Sequence, residues 1–130
     1  MNYNSIKQVV AFNATPEQIF ELLMNSEKHS QFTDSDCNIS PKVGGKFFAY
    51  DGYIDGKNLE LIPGKKIVQK WRASDWPRGH YSLVTFELKK SPEGTKLIFT
   101  QENVPSKFLD DIDKGWFEHY WDKMTKYLEK

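Results

Sequence analysis

Residues 109–130 read LDDIDKGWFEHYWDKMTKYLEK, and their periodicity decides the fold class. Leu109, Ile112, Trp116, Phe117, Tyr120, Trp121, Met124, Tyr127 and Leu128 recur at three- and four-residue spacing, which predicts a helix with one broad apolar face. About 20 residues in this form make a rod of roughly 30 Å. Asp110, Asp111 and Asp113 stand in its first turns and Lys123, Lys126 and Lys130 near its end, the order that the helix dipole favours. Gly115 sits inside it at a cost of about 1 kcal/mol relative to Ala, which implies a close backbone contact, a bend, or simple tolerance.

Such a rod needs a cover, and the segment before it supplies one. Between Asn38 and Gln101 short apolar runs are punctuated by Gly44-Gly45, Asp51-Gly52, Asp55-Gly56, Pro63-Gly64 and Pro92-Glu93-Gly94, the signature of an antiparallel meander. The spacing predicts strands over Asn38–Ser40, Lys46–Asp51, Gly56–Ile62, Lys66–Arg72, Tyr81–Lys89 and Thr95–Gln101, with a seventh over Ser5–Phe12. Period-two alternation turns Ile67, Gln69 and Trp71, then Val84, Phe86 and Leu88, then Leu97, Phe99 and Gln101 to one face. Lys70, Arg72, Glu87, Lys89 and Lys96 fall on the other, as in a sheet wetted on one side. Between the first two strands, Thr15-Pro16-Glu17-Gln18 is a capping box that opens a helix bearing Ile19, Phe20, Leu22 and Leu23. Asn25-Ser26 breaks it before a second short helix around Glu27–Phe32. The reading is an α+β fold in one domain, residues 1–130, with a curved seven-stranded antiparallel sheet wrapped around the last helix.

Composition narrows the function. Eighteen basic and eighteen acidic residues cancel, which removes the electrostatic footprint of a nucleic-acid or membrane-surface binder. The lone cysteine, Cys37, excludes an intramolecular disulfide and a cysteine-rich zinc cluster, fits a reducing compartment, and reads as a small apolar filler. With no signal-peptide pattern and no run of 18 apolar residues, a cytoplasmic protein is expected. His29, His80 and His119 lack paired metal-ligand spacing, so neither metal nor cofactor is expected. Gly44-Gly45-Lys46 lacks the rest of a phosphate loop, and no nucleophile elbow is present. Asp51, Asp55 and Glu60 read first as surface carboxylates, and an enzyme using Asp51, Glu60 or His80 as general base is the least favoured reading.

Aromatic content is the outlier, at 15% of the chain. Trp71, Phe86 and Phe99 on the sheet face Trp116 and Tyr120 on the helix, and large rings that interdigitate incompletely leave a pocket; the alternative is an ordinary packed aromatic core. An inward Gln101 needs a partner in water, Tyr120 or a ligand. With Phe32, these residues make the candidate ligand cavity. A second candidate is the loop Ala73–His80, where Trp76 either contacts a partner or folds back on the sheet, with His80 beside it.

The residues Val43-Gly44-Gly45-Lys46-Phe47, Asp51-Gly52, Gly56, Leu61, Pro63 and Lys66–Arg72 resemble the carboxy-terminal domain of the activator of heat-shock protein 90 ATPase. Ser74–Ser82 is similar to that family's Trp-Pro-x-Gly-His stretch, and Gly115-Trp116 with Tyr120-Trp121 to the start of its last helix. The resemblance implies a helix-grip fold of the birch-pollen-allergen and START-like type. It also implies a non-enzymatic co-chaperone or interaction module, whose partner is a heat-shock protein 90-type chaperone met through Trp76 and His80. The alternative it carries is binding or transport of an apolar small molecule between sheet and helix. Phe117 and Trp121 either complete the fold or form a self-association patch, and a monomer is favoured.

Overall fold

The structure is a computed structural model that describes residues 4–129. Strand β1 (Ile6–Phe12) leads to α1 (Pro16–Met24) and α2 (Ser26–Thr33). Strands β2 (Asn38–Ile39), β3 (Lys46–Ala49), β4 (Ile54–Ile62), β5 (Lys66–Ala73), β6 (Ser82–Ser91) and β7 (Gly94–Glu102) follow. The last helix has three consecutive parts: α3 (Leu109–Trp116), a π turn (Phe117–Trp121) and α4 (Asp122–Leu128). Lys130 lies outside the described residues.

The seven strands form one sheet in the order β1-β7-β6-β5-β4-β3-β2, every neighbouring pair antiparallel. The meander accounts for β2 to β7, and β1 joins the far edge by pairing with β7. The α+β helix-grip arrangement expected from the sequence is the one present. All nine residues assigned to the inner face of β5, β6 and β7 are buried, and Lys70, Lys89 and Lys96 are exposed.

Local chemistry explains the connections. The Thr15 hydroxyl accepts from the Gln18 amide at 3.1 Å while the Gln18 side chain accepts from the Thr15 amide at 2.8 Å, so two amide donors at the start of α1 are satisfied reciprocally. The Asn25 side chain accepts from the Lys28 amide and starts α2 at once. Gly56 permits the close approach of β4 to its neighbours: a Cβ there would stand 1.9 Å from the Lys70 carbonyl oxygen.

Strand ends differ from expectation around Tyr50. β3 stops at Ala49 rather than Asp51, because Tyr50 (φ 51°), Asp51 (φ 58°) and Gly52 (φ 93°) turn left-handed and leave the sheet. The Asp51 carboxylate accepts from the Asp36 amide at 2.9 Å, which ties this turn to the segment after α2. β4 consequently begins at Ile54, two residues earlier than read.

Candidate functional site

Two glutamines, Gln8 on the edge strand β1 and Gln101 on its neighbour β7, hold the last helix to the sheet. The Trp116 indole donates to Gln101 Oε1 at 2.8 Å, and Gln101 Nε2 donates to Ser82 Oγ at 3.0 Å, whose hydroxyl donates to the Trp71 carbonyl. The Trp121 indole donates to Gln8 Oε1 at 2.7 Å, and Gln8 Nε2 donates to Asp113. The partner that Gln101 required is therefore Trp116 and not Tyr120 or a ligand. Phe99 packs 4.3 Å from Trp116 and 5.4 Å from Phe86, ring centre to ring centre.

Of the two readings of these rings, cavity or packed core, the contacts around Phe99 and Gln101 are those of a packed core. Phe86, Phe99 and Gln101 are packed into the core, where a void of about 20 Å³ lies beside His29, Gln69 and Phe86. That is room for about one water. Phe32 is likewise taken up by packing, 4.9 Å from His29 and 5.8 Å from Tyr120. The rings interdigitate because Trp116 and Trp121 both turn inward; Trp121 completes the core, and Phe117, at 45% exposure, does not.

Open space lies at the edge instead. A cleft of about 560 Å³ runs between the start of β4 and the last helix, walled by Tyr50, Tyr53, Ile54, Ile112 and Gly115 and floored by Trp71, Trp116 and Tyr120. Three of the seven residues assigned to the cavity thus meet in a site displaced toward the mouth of the grip. The Tyr50 hydroxyl donates to the His119 carbonyl oxygen and spans that mouth from the turn after β3 to the helix. The Tyr53 hydroxyl donates to Asp75 at 2.9 Å. Burial pushes the Tyr53 phenol up to about 12, helped by that bond and by the charges of Asp75 and Asp111. Burial likewise raises the Tyr50 and Tyr120 phenols, so all three remain hydrogen-bond donors at neutral pH.

Beneath the floor lies a buried pair, His29 with Tyr120. His29 is buried, with Nδ1 3.3 Å from the Leu23 carbonyl and Nε2 3.0 Å from the Tyr120 hydroxyl. A carbonyl only accepts, so Nδ1 carries the proton and Nε2 accepts from Tyr120. Desolvation lowers the His29 pKa to about 4, against the smaller raising effect of its backbone contacts at Leu23 and Leu22. The only legible hint was His29 falling on the same side of α2 as Phe32, three residues on.

The second candidate also divides. Trp76 folds back: it is 4% exposed and packs 5.5 Å from Trp71, so its ring is not presented to a partner. Arg72 Nη2 donates to the Trp76 carbonyl at 2.9 Å, and His80 bonds the Asn103 carbonyl at 2.8 Å. The loop is fixed at both ends, and Pro77, Arg78 and Gly79 form its exposed tip.

The residues considered for catalysis are engaged separately. Asp51 holds the Asp36 amide, Glu60 pairs with Lys66 at 3.3 Å, and Asp55 lies 3.7 Å from Arg72. None of these lines the cleft. Among the described residues no three His, Cys, Asp or Glu side chains converge as a metal site, and no helix is long and apolar enough to cross a membrane.

Known proteins share this arrangement. An HSP90 activator from Plasmodium falciparum superposes with a TM-score of 0.89 at 28% identity, covering 96% of each chain. The Aha1 dimer from Colwellia psychrerythraea shares the fold, with a TM-score of 0.76 at 22% identity over 88% of this chain and 89% of that one. The chain is 34% identical over 122 residues to the Activator of 90 kDa heat shock protein ATPase homolog of Dictyostelium discoideum, 92% of this chain and 32% of the relative. It is 29% identical over 111 residues to homolog 1 of Homo sapiens, 85% of this chain and 33% of that protein. The chain thus spans about a third of the length of these curated relatives. Residues 13–129 match the family described as Activator of Hsp90 ATPase homolog 1-like protein, and the chain belongs to that family.

Proposed function

We propose that residues 1–130 act as one helix-grip domain, a non-catalytic, monomeric docking module in the cytoplasm whose partner is an Hsp90-type chaperone. The observation that carries this reading is the family membership over residues 13–129. The matched part of the curated relatives is about a third of their length, so the proposal is for binding and not for ATPase stimulation.

The loop from Ser74 to Tyr81 supports it as the contact. Trp76 anchors it from below, Arg72 holds two of its carbonyls, and His80 and Asn103 close its far end, with Asn103 Nδ2 donating to the Tyr81 carbonyl at 3.0 Å. A loop already ordered loses little entropy on binding. Trp76 acts in this role through the loop's shape, and Arg78 and His80 present the contact. The test is an amide NMR titration of the labelled chain with the chaperone of its own organism. Shifts confined to residues 74–81 and a loss of at least about fivefold in affinity for Arg78→Glu with His80→Ala are expected. No shift well above the micromolar range ends the reading.

A further inference from the structure

The cleft has a chemistry that chaperone docking does not use. Trp71, Trp116, Tyr120 and Tyr50 follow one another in ring contact, at 5.5, 4.7 and 5.9 Å between centres, and Tyr53 stands beside them. Aromatic faces carry negative potential and attract cations, most strongly where water is partly excluded. Tyr50 and Tyr53 are the accessible rings of this half-open cleft, and Trp71, Trp116 and Tyr120 lie beneath them as its floor.

The rim has the matching charge. Asp111 and Glu118 lie seven residues apart on one edge of the last helix, and both border the cleft. Lys114 stands between Asp111 and Glu118, and among the described residues no ion pair ties it to either. Two carboxylates against one ammonium leave the border of the cleft net negative. A neutral hydrocarbon would draw nothing from that field, and an anion would be repelled by it.

We propose that this cleft binds an organic cation: a quaternary or alkylated ammonium carried on a flat apolar body. The ammonium sits at the acidic helix edge against the rings of Tyr53 and Tyr50, and the apolar body lies on the floor toward Trp71. The volume of about 560 Å³ suits a small molecule.

The test uses the full chain, labelled for NMR, with benzyltrimethylammonium as the probe and benzyl alcohol and benzoate as its neutral and anionic counterparts. The Gly115 amide and the Trp71 and Trp116 indole signals are followed. Saturable shifts are expected for the cation with a Kd below about 1 mM, at least about tenfold tighter than benzyl alcohol, and none for benzoate. Asp111 and Glu118 are exposed, so Asp111→Asn with Glu118→Gln leaves the fold intact and weakens the cation at least about fivefold without changing benzyl alcohol. Equal binding of alcohol and cation, an unaffected double variant, or no saturable shift at about 10 mM would each overturn the proposal. Chaperone binding by the same variant is read separately through residues 74–81.

Discussion

Trp116 and Trp121 stand five residues apart on one helix and yet stack on each other, ring centres 5.5 Å apart and planes 22° from parallel. In a regular α-helix five residues place side chains roughly 140° apart around the axis. The π turn from Phe117 to Trp121 removes that divergence, its extra residue per turn bringing both indoles onto the sheet. Gln101 and Gln8 then take one indole N–H each.

Replacing Gln101 by Ala strands the Trp116 N–H and disturbs the Ser82 hydroxyl in a site that water does not reach. A loss of about 2–4 kcal/mol is expected from a buried unpaired donor plus the space left behind. Urea unfolding of Gln101→Ala measures it, and a change under about 1 kcal/mol would show that the clamp contributes little.

His29 makes stability depend on pH. Its folded pKa is depressed from 6.5 to about 4 by burial, so the unfolded chain takes up a proton first as pH falls. The contribution is complete above about 6.5 and is lost progressively down to about 4, a change of about 3 kcal/mol across that window. Urea midpoints between pH 7 and 4.5 should fall more steeply for the natural chain than for His29→Gln, which has no proton to gain there. Parallel curves would mean that His29 is hydrated in solution.

Tyr50→Phe removes the one hydroxyl that bridges the cleft mouth to His119 while leaving the ring against Tyr120. The expected cost is about 0.5–1.5 kcal/mol, with faster amide exchange confined to residues 50–53. Uniformly faster exchange would place the effect in global stability instead.

Gly115 has room for a methyl group: a Cβ would lie 3.6 Å from His119 Cδ2, an ordinary contact. Gly115→Ala should therefore stabilise the chain by about 0.5–1 kcal/mol through helix propensity, read as a higher melting temperature. A destabilised variant would show that the π turn depends on the freedom of Gly115.

How far the sequence could be read depended on whether the signal was periodic. The apolar face of residues 109–128, the capping box at Thr15 and the alternation through Trp71, Phe86 and Phe99 each report which side of an element is buried, and the sheet and helices follow from them. Alternation does not report how rings interlock, so it leaves open whether Trp116, Phe99 and Gln101 border a cavity or fill the space, as they do. The open cleft depends on Tyr50 leaving the sheet left-handed, a conformation that a bulky residue seldom signals. The π turn had a faint trace in two tryptophans spaced by five, which only their shared burial makes legible. Trp76 was ambiguous by its nature, since a large ring in a Pro- and Gly-bearing loop serves equally as anchor or as contact.

Pairing of the first strand with the last has a consequence during synthesis. Ile6 meets Gln101 about 95 residues later, and at ~5–20 residues per second β1 waits roughly 5–20 s for its neighbour. The helix that seals the sheet is made later still, so both tryptophans that close the core follow every strand they cover. Until then the growing chain carries an apolar sheet face and an unpaired edge, and assembles its most distant contacts after its local ones. A member of a chaperone-activator family thus passes through a nascent state of the kind that chaperones shelter.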